Sequence, residues 1–396
     1  MNFKLLLIIF LIGFAAPAFS QTVLTVDEAV EKAIKTNRNL SAANQTIIQQ
    51  KQLVKSAVNL PNPEFFWESP TGSFYTGSIT QSFEFPTVYG KQVQLQKQQV
   101  LIAEKDKFRM QTDVAYQVRV LYLAIQYTKS LQQELQIQDS VYDQLQKASQ
   151  RQFDAGQIDF LQKTFAENEY GELHNQWLQA TTTLSSLLSQ LQYLTGMEEI
   201  VSTSSLEVFP IPENSMIIND SSALEQNPTV SLLRQEMEVS QKNVALQKNK
   251  ALPGLAFGYF NQGERDTKTS LRFRFGLTIP LWFWQYKSNI QAAKTGVVIA
   301  EEKTKGFTQQ LNYELLQAKN EMKISYQSYS YYQQTGLPKT DEILTTAKRF
   351  FESGETDYIN YLRNISPAYQ TKFKFIESIN NLNHSIITIN YLTGKL

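Results

Sequence analysis

Side chains able to do chemistry are sparse in this 396-residue chain. It contains no cysteine, which excludes thiol nucleophiles, disulfides and cysteine metal sites. Its two histidines, His174 and His384, fall in separate helical regions, and a lone histidine on a helix does not make a metal centre. The carboxylate pairs Asp139/Asp143 and Glu301/Glu302 lie on long helical stretches, where a solvated face is the default. No phosphate-cradling glycine loop and no nucleophile elbow occurs. This inventory implies neither an enzyme nor a cofactor. Acidic and basic residues balance at 37 each, so no global field points to nucleic acid.

The informative spacing is of another kind. Arg151-x-Phe153-x-x-Gly156-x-x-Asp159 returns as Arg349-x-Phe351-x-x-Gly354-x-x-Asp357, 349 − 151 = 198 residues later. A glycine permits the left-handed cap that ends one helix, and an aspartate three residues on starts the next. The arginines are left to hold neighbouring helices or a partner. At the same offset, Tyr193-Leu194-Thr195-Gly196 recurs as Tyr391-Leu392-Thr393-Gly394. Pro86 matches Pro280, and Leu60-Pro61 matches Leu252-Pro253, with the order kept and the offset drifting only where loops would lie.

Each copy follows one plan. A signal peptide over 1–20 (Lys4, an apolar run from Leu5 to Phe14, then Ala18-Phe19-Ser20) directs the chain beyond the inner membrane. The first repeat, 21–205, holds a helix from Val26 to about Asn59, a β-hairpin at 62–86, a long helix at 87–154 and a return helix at 157–196. A connecting segment, 206–221, leads to the second repeat, 222–396, with a helix, a hairpin at 254–280, a long helix at 286–353 and a return helix at 355–394. At 1.5 Å per residue each long helix reaches ~100 Å. Val114, Val118, Leu121 and Ile125 keep the 4-3-4 spacing of a coiled-coil seam. Gly336-Leu337-Pro338 should kink or interrupt the second long helix. The leading helix and the return helix, stacked end to end, match the length of the long one, which predicts a wall of one long helix beside two shorter coaxial ones.

The strands alternate. Leu271, Phe273, Phe275, Leu277 and Ile279 interleave with Arg272, Arg274, Gly276 and Thr278, and Tyr75, Gly77, Ile79, Gln81 and Phe83 interleave with polar residues. Trp282-Phe283-Trp284 follows directly, as an interfacial aromatic girdle would. Apolar residues facing lipid opposite Arg272 and Arg274 facing a wet lumen are the signature of a transmembrane barrel. Four strands cannot close one, since the smallest barrels have about eight, and an open edge cannot face lipid. The barrel must therefore be shared between subunits. Two subunits would give 8 strands and a bore filled by side chains, whereas three give 12 and leave a channel.

Taken with Leu24-Thr25-Val26-Asp27-Glu28-Ala29, Leu60-Pro61-Asn62-Pro63-Glu64 and Phe85-Pro86-Thr87-Val88-Tyr89-Gly90-Lys91, the duplicated plan resembles the TolC family of outer-membrane efflux proteins over essentially the whole mature chain. The strand exit is similar to that of its heavy-metal-efflux (CusC- and CzcC-like) branch. The resemblance implies a mainly α fold: duplicated long α-helical hairpins forming a periplasmic α-barrel, with four strands per subunit closing a 12-stranded β-barrel in a homotrimer. It implies a passive exit duct in the outer membrane with a long periplasmic extension, served by a periplasmic adaptor (membrane fusion) protein and an inner-membrane pump of the RND type. By the same resemblance, the tips at Arg151, Phe153, Gly156, Asp159, Arg349, Phe351, Gly354 and Asp357 form the periplasmic entrance and adaptor-docking site. Asn360 and Arg363 stand where some members carry acidic gate residues, so an acidic ring is missing. A periplasmic or surface coiled-coil scaffold that forms no channel would account for the helices but not for the alternating strands and their aromatic exit.

Overall fold

The computed structural model describes residues 23–69, 72, 75–198, 202–211, 221–261 and 268–396; the expected signal peptide and residues 212–220 of the connecting segment lie outside them. The chain is mainly helical, with one small antiparallel sheet. It begins with α1 (Val26–Thr36) and α2 (Arg38–Ser56), then strands β1 (Glu64–Glu68) and β2 (Thr76–Phe83), the long α3 (Pro86–Asp154) and α4 (Phe160–Thr195). A short 3-10 turn, Ser221–Gln226, leads into α5 (Pro228–Lys250), β3 (Gly254–Phe260), a second turn (Thr269–Arg272), β4 (Phe273–Thr278), α6 (Phe283–Tyr331), α7 (Leu337–Glu352) and α8 (Tyr358–Leu392).

One expectation is corrected. The leading helix is not continuous from Val26 to Asn59: the backbone is extended at Asn37 (φ −63°, ψ 118°), which ends α1 and caps α2 by accepting the Leu40 N–H at 3.1 Å. The interruption expected in the second long helix is a π turn between α6 and α7. Pro338 has no N–H to give the carbonyl four residues back, and the chain absorbs this in a single π turn, Tyr332–Gly336, where the Leu337 N–H reaches the Tyr332 carbonyl.

The helices form a wall one layer thick. The 69 residues of α3 run ~100 Å. On one side α3 packs against α2 over its sheet-proximal part and α4 over the rest, with α1 at their junction; on the other it packs against α5 and then α8. Beyond α5 and α8 lie α6 and α7. The wall therefore ends in the α2/α4 column on one side and the α6/α7 column on the other.

Shorter helices meet end to end through matched junctions. The Thr36 hydroxyl donates to the Thr195 carbonyl at 3.2 Å, and the Asn227 amide donates to the Leu392 carbonyl at 3.0 Å. Asn227 also caps α5, accepting from the Thr229 and Val230 N–H groups. Leu24, Ala29, Val118, Tyr122, Ile125 and Leu191 bury around the first junction, and Leu224, Val230, Leu311, Leu315, Leu382 and Leu392 around the second.

The sheet runs β1-β2-β3-β4, all antiparallel, leaving β1 and β4 as free edges. Its register aligns Phe65, Ile79, Tyr259 and Phe273 in one row and Gln81, Phe257 and Phe275 in another, all on one face. That face is uncovered: Phe65, Trp67, Phe273 and Phe275 are each more than 60 % exposed. None of the hydrophobic core clusters includes a strand residue. Among the described residues no helix is long and apolar enough to cross a membrane.

Candidate functional site

The turns at the far end of the wall are built the same way twice. In the first, the Gly156 N–H donates to the Phe153 carbonyl and the Gln157 N–H to the Gln152 carbonyl, a Schellman closure with Gly156 at φ 68°. In the second, Gly354 at φ 78° donates to Phe351 and Glu355 to Phe350. Asp159 then caps α4 by accepting the Gln162 N–H at 2.8 Å, with the Gln162 side chain returning to the Asp159 N–H. Asp357 caps α8 through the Asn360 N–H and also accepts from the Asn360 side-chain amide, both at 2.8 Å. Asp357 and Asn360 are thus locked together, and Arg363 stands exposed one turn further along.

Although the tips repeat in sequence, their aromatic residues diverge. Phe351 stacks on Tyr361 (centroids 4.7 Å apart, 18° between planes) and joins the buried cluster. Phe153 packs edge-on against Phe160 and lies under Lys163. Arg151 is exposed, and Arg349 lies exposed over Phe350. One cluster unites the two tips, with Leu135, Tyr142 and Ala166 of the first half packed among Tyr358, Ile365 and Tyr369 of the second. Beside it, a cleft of about 540 Å³ opens between α3 and α7, lined by Val141, Leu145, Arg151, Leu344, Lys348 and Tyr361.

The tyrosines of this cluster escaped the sequence reading, although Tyr358, Tyr361, Ile365 and Tyr369 follow a 3-4-4 spacing that marks a buried helix face. Burial pushes the Tyr358 phenol up to about 12, with Asp159 and Asp357 adding to the shift. Burial likewise raises Tyr142 and Tyr369 to about 12. In the unfolded chain these phenols ionise near pH 10, so between pH 10 and 12 the unfolded state loses protons that the folded state keeps, and stability falls as pH rises. Tyr358→Phe is expected to flatten that alkaline loss, as read by urea unfolding at pH 9 and pH 11. It should cost nothing at neutral pH, because the buried Tyr358 hydroxyl has no hydrogen-bond partner.

On the long helices Asp139 lies 2.9 Å from His174 Nδ1, Asp143 pairs with Lys147 at 2.7 Å, and Glu302 pairs with Lys305 at 2.9 Å. Among the described residues no group of three or more His, Cys, Asp or Glu is arranged to hold a metal.

At the sheet, Arg274 sits opposite the apolar face, its guanidinium 4.0 Å from the Phe260 ring centroid. Arg272 departs from expectation. It ends the 3-10 turn rather than extending the strand and bonds to the Asn261 side chain, because the β3–β4 ladder stops at Tyr259–Phe273. Trp282, Phe283 and Trp284 are largely exposed and contact one another, with Trp282 and Trp284 centroids 5.1 Å apart.

Comparison with known proteins agrees with this geometry. Over 384 residues the chain is 22 % identical to the cobalt-zinc-cadmium resistance protein CzcC of Cupriavidus metallidurans, covering 94 % of this chain and 90 % of that one. Its fold is similar to crystal structures of CusC (TM-score 0.76, 14 % identity, 93 % of this chain and 92 % of that one) and of the Campylobacter jejuni CmeC outer membrane channel (TM-score 0.73, 17 % identity, 93 % and 85 %). Residues 220–395 match the family model described as outer membrane efflux protein. The second repeat thus matches the outer membrane efflux protein family model, and the whole chain shares its fold with outer-membrane channels of that kind.

Proposed function

We propose that this protein is the passive exit duct of a tripartite efflux system, a homotrimer whose sheets close a 12-stranded barrel in the outer membrane and whose helical walls close a tube in the periplasm. The observation that carries this reading is the pair of complementary open edges. The sheet ends in unpaired β1 and β4, and the wall ends in columns α2/α4 and α6/α7. Each column bears exposed apolar side chains: Ile48, Leu53 and Leu178 on one, Tyr313, Ile324 and Ile343 on the other. Edges that differ from one another join head to tail, and such contacts close into a ring when the rotation between copies completes a turn. Three copies of a four-stranded sheet supply twelve strands, enough to leave a channel, and satisfy every backbone edge in lipid.

In this reading the chain is two repeats, 21–205 and 222–396, joined by 206–221. The tips at Gly156 and Gly354 are the periplasmic entrance, where Arg151 and Arg349 meet a periplasmic adaptor that links the duct to an inner-membrane pump of the RND type. The α3–α7 cleft beside Arg151 widens that docking surface. Asn360 and Arg363 line the entrance without an acidic ring, and Arg274, with Arg272 at the turn, faces the lumen.

In-cell crosslinking followed by imaging of the purified particle tests this: an adaptor and a pump on a threefold tube are expected. A detergent-extracted monomer absent from the outer membrane would overturn the reading. Arg349→Glu is expected to cut efflux at least ~tenfold, as loss of a charged docking contact would, while leaving the trimer band unchanged on mild gels.

A further inference from the structure

We infer that the helix ends next to the sheet form a lysine collar that binds the anionic headgroups of phospholipids in the periplasmic leaflet. This rests on the membrane placement proposed above. Four helices meet the sheet: α2 and α5 end there, and α3 and α6 begin there. The last seven residues of α2 carry Lys51 and Lys55, and the last seven of α5 carry Lys248 and Lys250. The first twelve residues of α3 carry Lys91 and Lys97, and the first twelve of α6 carry Lys287 and Lys294. No acidic residue occurs in any of the four stretches, although the whole chain balances 37 basic against 37 acidic residues. The opposite end of the wall mixes signs, with Asp159, Glu352, Glu355 and Asp357 among Arg151, Lys348 and Arg349.

Contacts within the chain account for half of this. Lys55, Lys248 and Lys250, in the last turns of α2 and α5, complement the negative end of the helix dipole, and Lys51 pairs with Glu104 at 3.0 Å. At the starts of α3 and α6 the dipole is positive and favours acids, yet neither first turn has one and lysines stand close behind. Lys91, Lys97, Lys287 and Lys294 lie beyond those first turns, where the dipole has fallen off, so capping does not explain them, and an anionic partner outside the chain would.

The start of α6 has the shape for one. A cleft of about 410 Å³ lies between Ala251, at the end of α5, and one flank of α6, where Phe283 and Ile290 alternate with Lys287 and Lys294. Both lysines are exposed, Phe283 lines the cleft, and its exposed neighbours Trp282 and Trp284 pack against each other. Aromatic residues at a bilayer boundary with lysines just beyond it match the depth order of acyl chain, glycerol and phosphate in a lipid. Each lysine near an anionic membrane surface shifts binding by ~fivefold.

The test compares the full-length mature protein with K91Q/K97Q/K287Q/K294Q and with a control that removes four lysines elsewhere on the helices, K147Q/K163Q/K339Q/K348Q. Each is reconstituted into vesicles of mixed phosphatidylethanolamine and phosphatidylglycerol, re-extracted and analysed by native mass spectrometry for retained lipid. Wild type and control are expected to enrich phosphatidylglycerol, and the collar variant to lose at least ~fivefold of that enrichment while still inserting. Equal enrichment in collar variant and control would overturn the collar, and so would unchanged lipid together with an altered ion selectivity, which would assign these lysines to the lumen. Failure of the wild type to insert would overturn the membrane reading itself and the collar with it.

Discussion

Gly394→Val is expected to destabilise the folded chain by about 3–5 kcal/mol, whereas Gly156→Val should cost only about 1–3. Both glycines have positive φ, 70° and 68°, where a β-branched residue is strained. At Gly156 strain is the whole effect, because an added Cβ meets nothing within 4 Å. At Gly394 an added Cβ would come within 2.4 Å of the Gln226 carbonyl oxygen and 2.9 Å of its carbon. Relief requires α5 to move away from the end of α8, which breaks the buried bond from Asn227 to the Leu392 carbonyl and leaves that carbonyl unpaired. Gly196 has the milder version, since the obstacle there is the Thr36 side chain rather than backbone. Urea unfolding of the four variants Gly156→Val, Gly354→Val, Gly196→Val and Gly394→Val should rank them with the tip positions least affected and Gly394 most. Equal losses at 156 and 394 would mean that the helix junctions are not close-packed.

These junctions also mark what the sequence did and did not make legible. The repeated Tyr-Leu-Thr-Gly announced that something recurs at 196 and 394, and end-to-end stacking followed from helix lengths. What each glycine touches did not follow. The break opposite Gly196 falls at Asn37, within Lys35-Thr36-Asn37-Arg38-Asn39, where nothing forbids a continuing helix. Its counterpart, Asn227, precedes Pro228 and reads as a helix start. In the first copy only packing against the return helix selects the break.

The candidate site divides along the same line. Caps at Asp159 and Asp357 depend on residues three apart and are readable from the chain alone. The α3–α7 cleft and the tyrosine cluster depend on which helices are neighbours, and no local spacing carries that information. Arg272 was misplaced on the strand because period-2 alternation continues through it, while the ladder that would hold it there has already ended.

Phe275→Lys is expected to block assembly, while Thr80→Lys on the opposite face of the same sheet should leave it nearly intact. Phe275 pairs with Phe257 in the middle of the apolar face and is 61 % exposed, so in the proposed barrel it looks into the bilayer core. A lysine at such a depth costs ~2–4 kcal/mol. A ring of three subunits incurs that cost three times, ~6–12 kcal/mol per barrel. That approaches the whole stability of an ordinary domain. Thr80 lies in the row with Gly258 and Arg274, where a cation is already present and water fills the bore in this reading. Trimer yield after refolding into vesicles, with the urea midpoint of the folded fraction, separates the two. If Phe275→Lys refolds as well as wild type, the apolar face does not meet lipid. The sheet would then need another apolar partner, because among the described residues no strand side chain joins a helical core cluster.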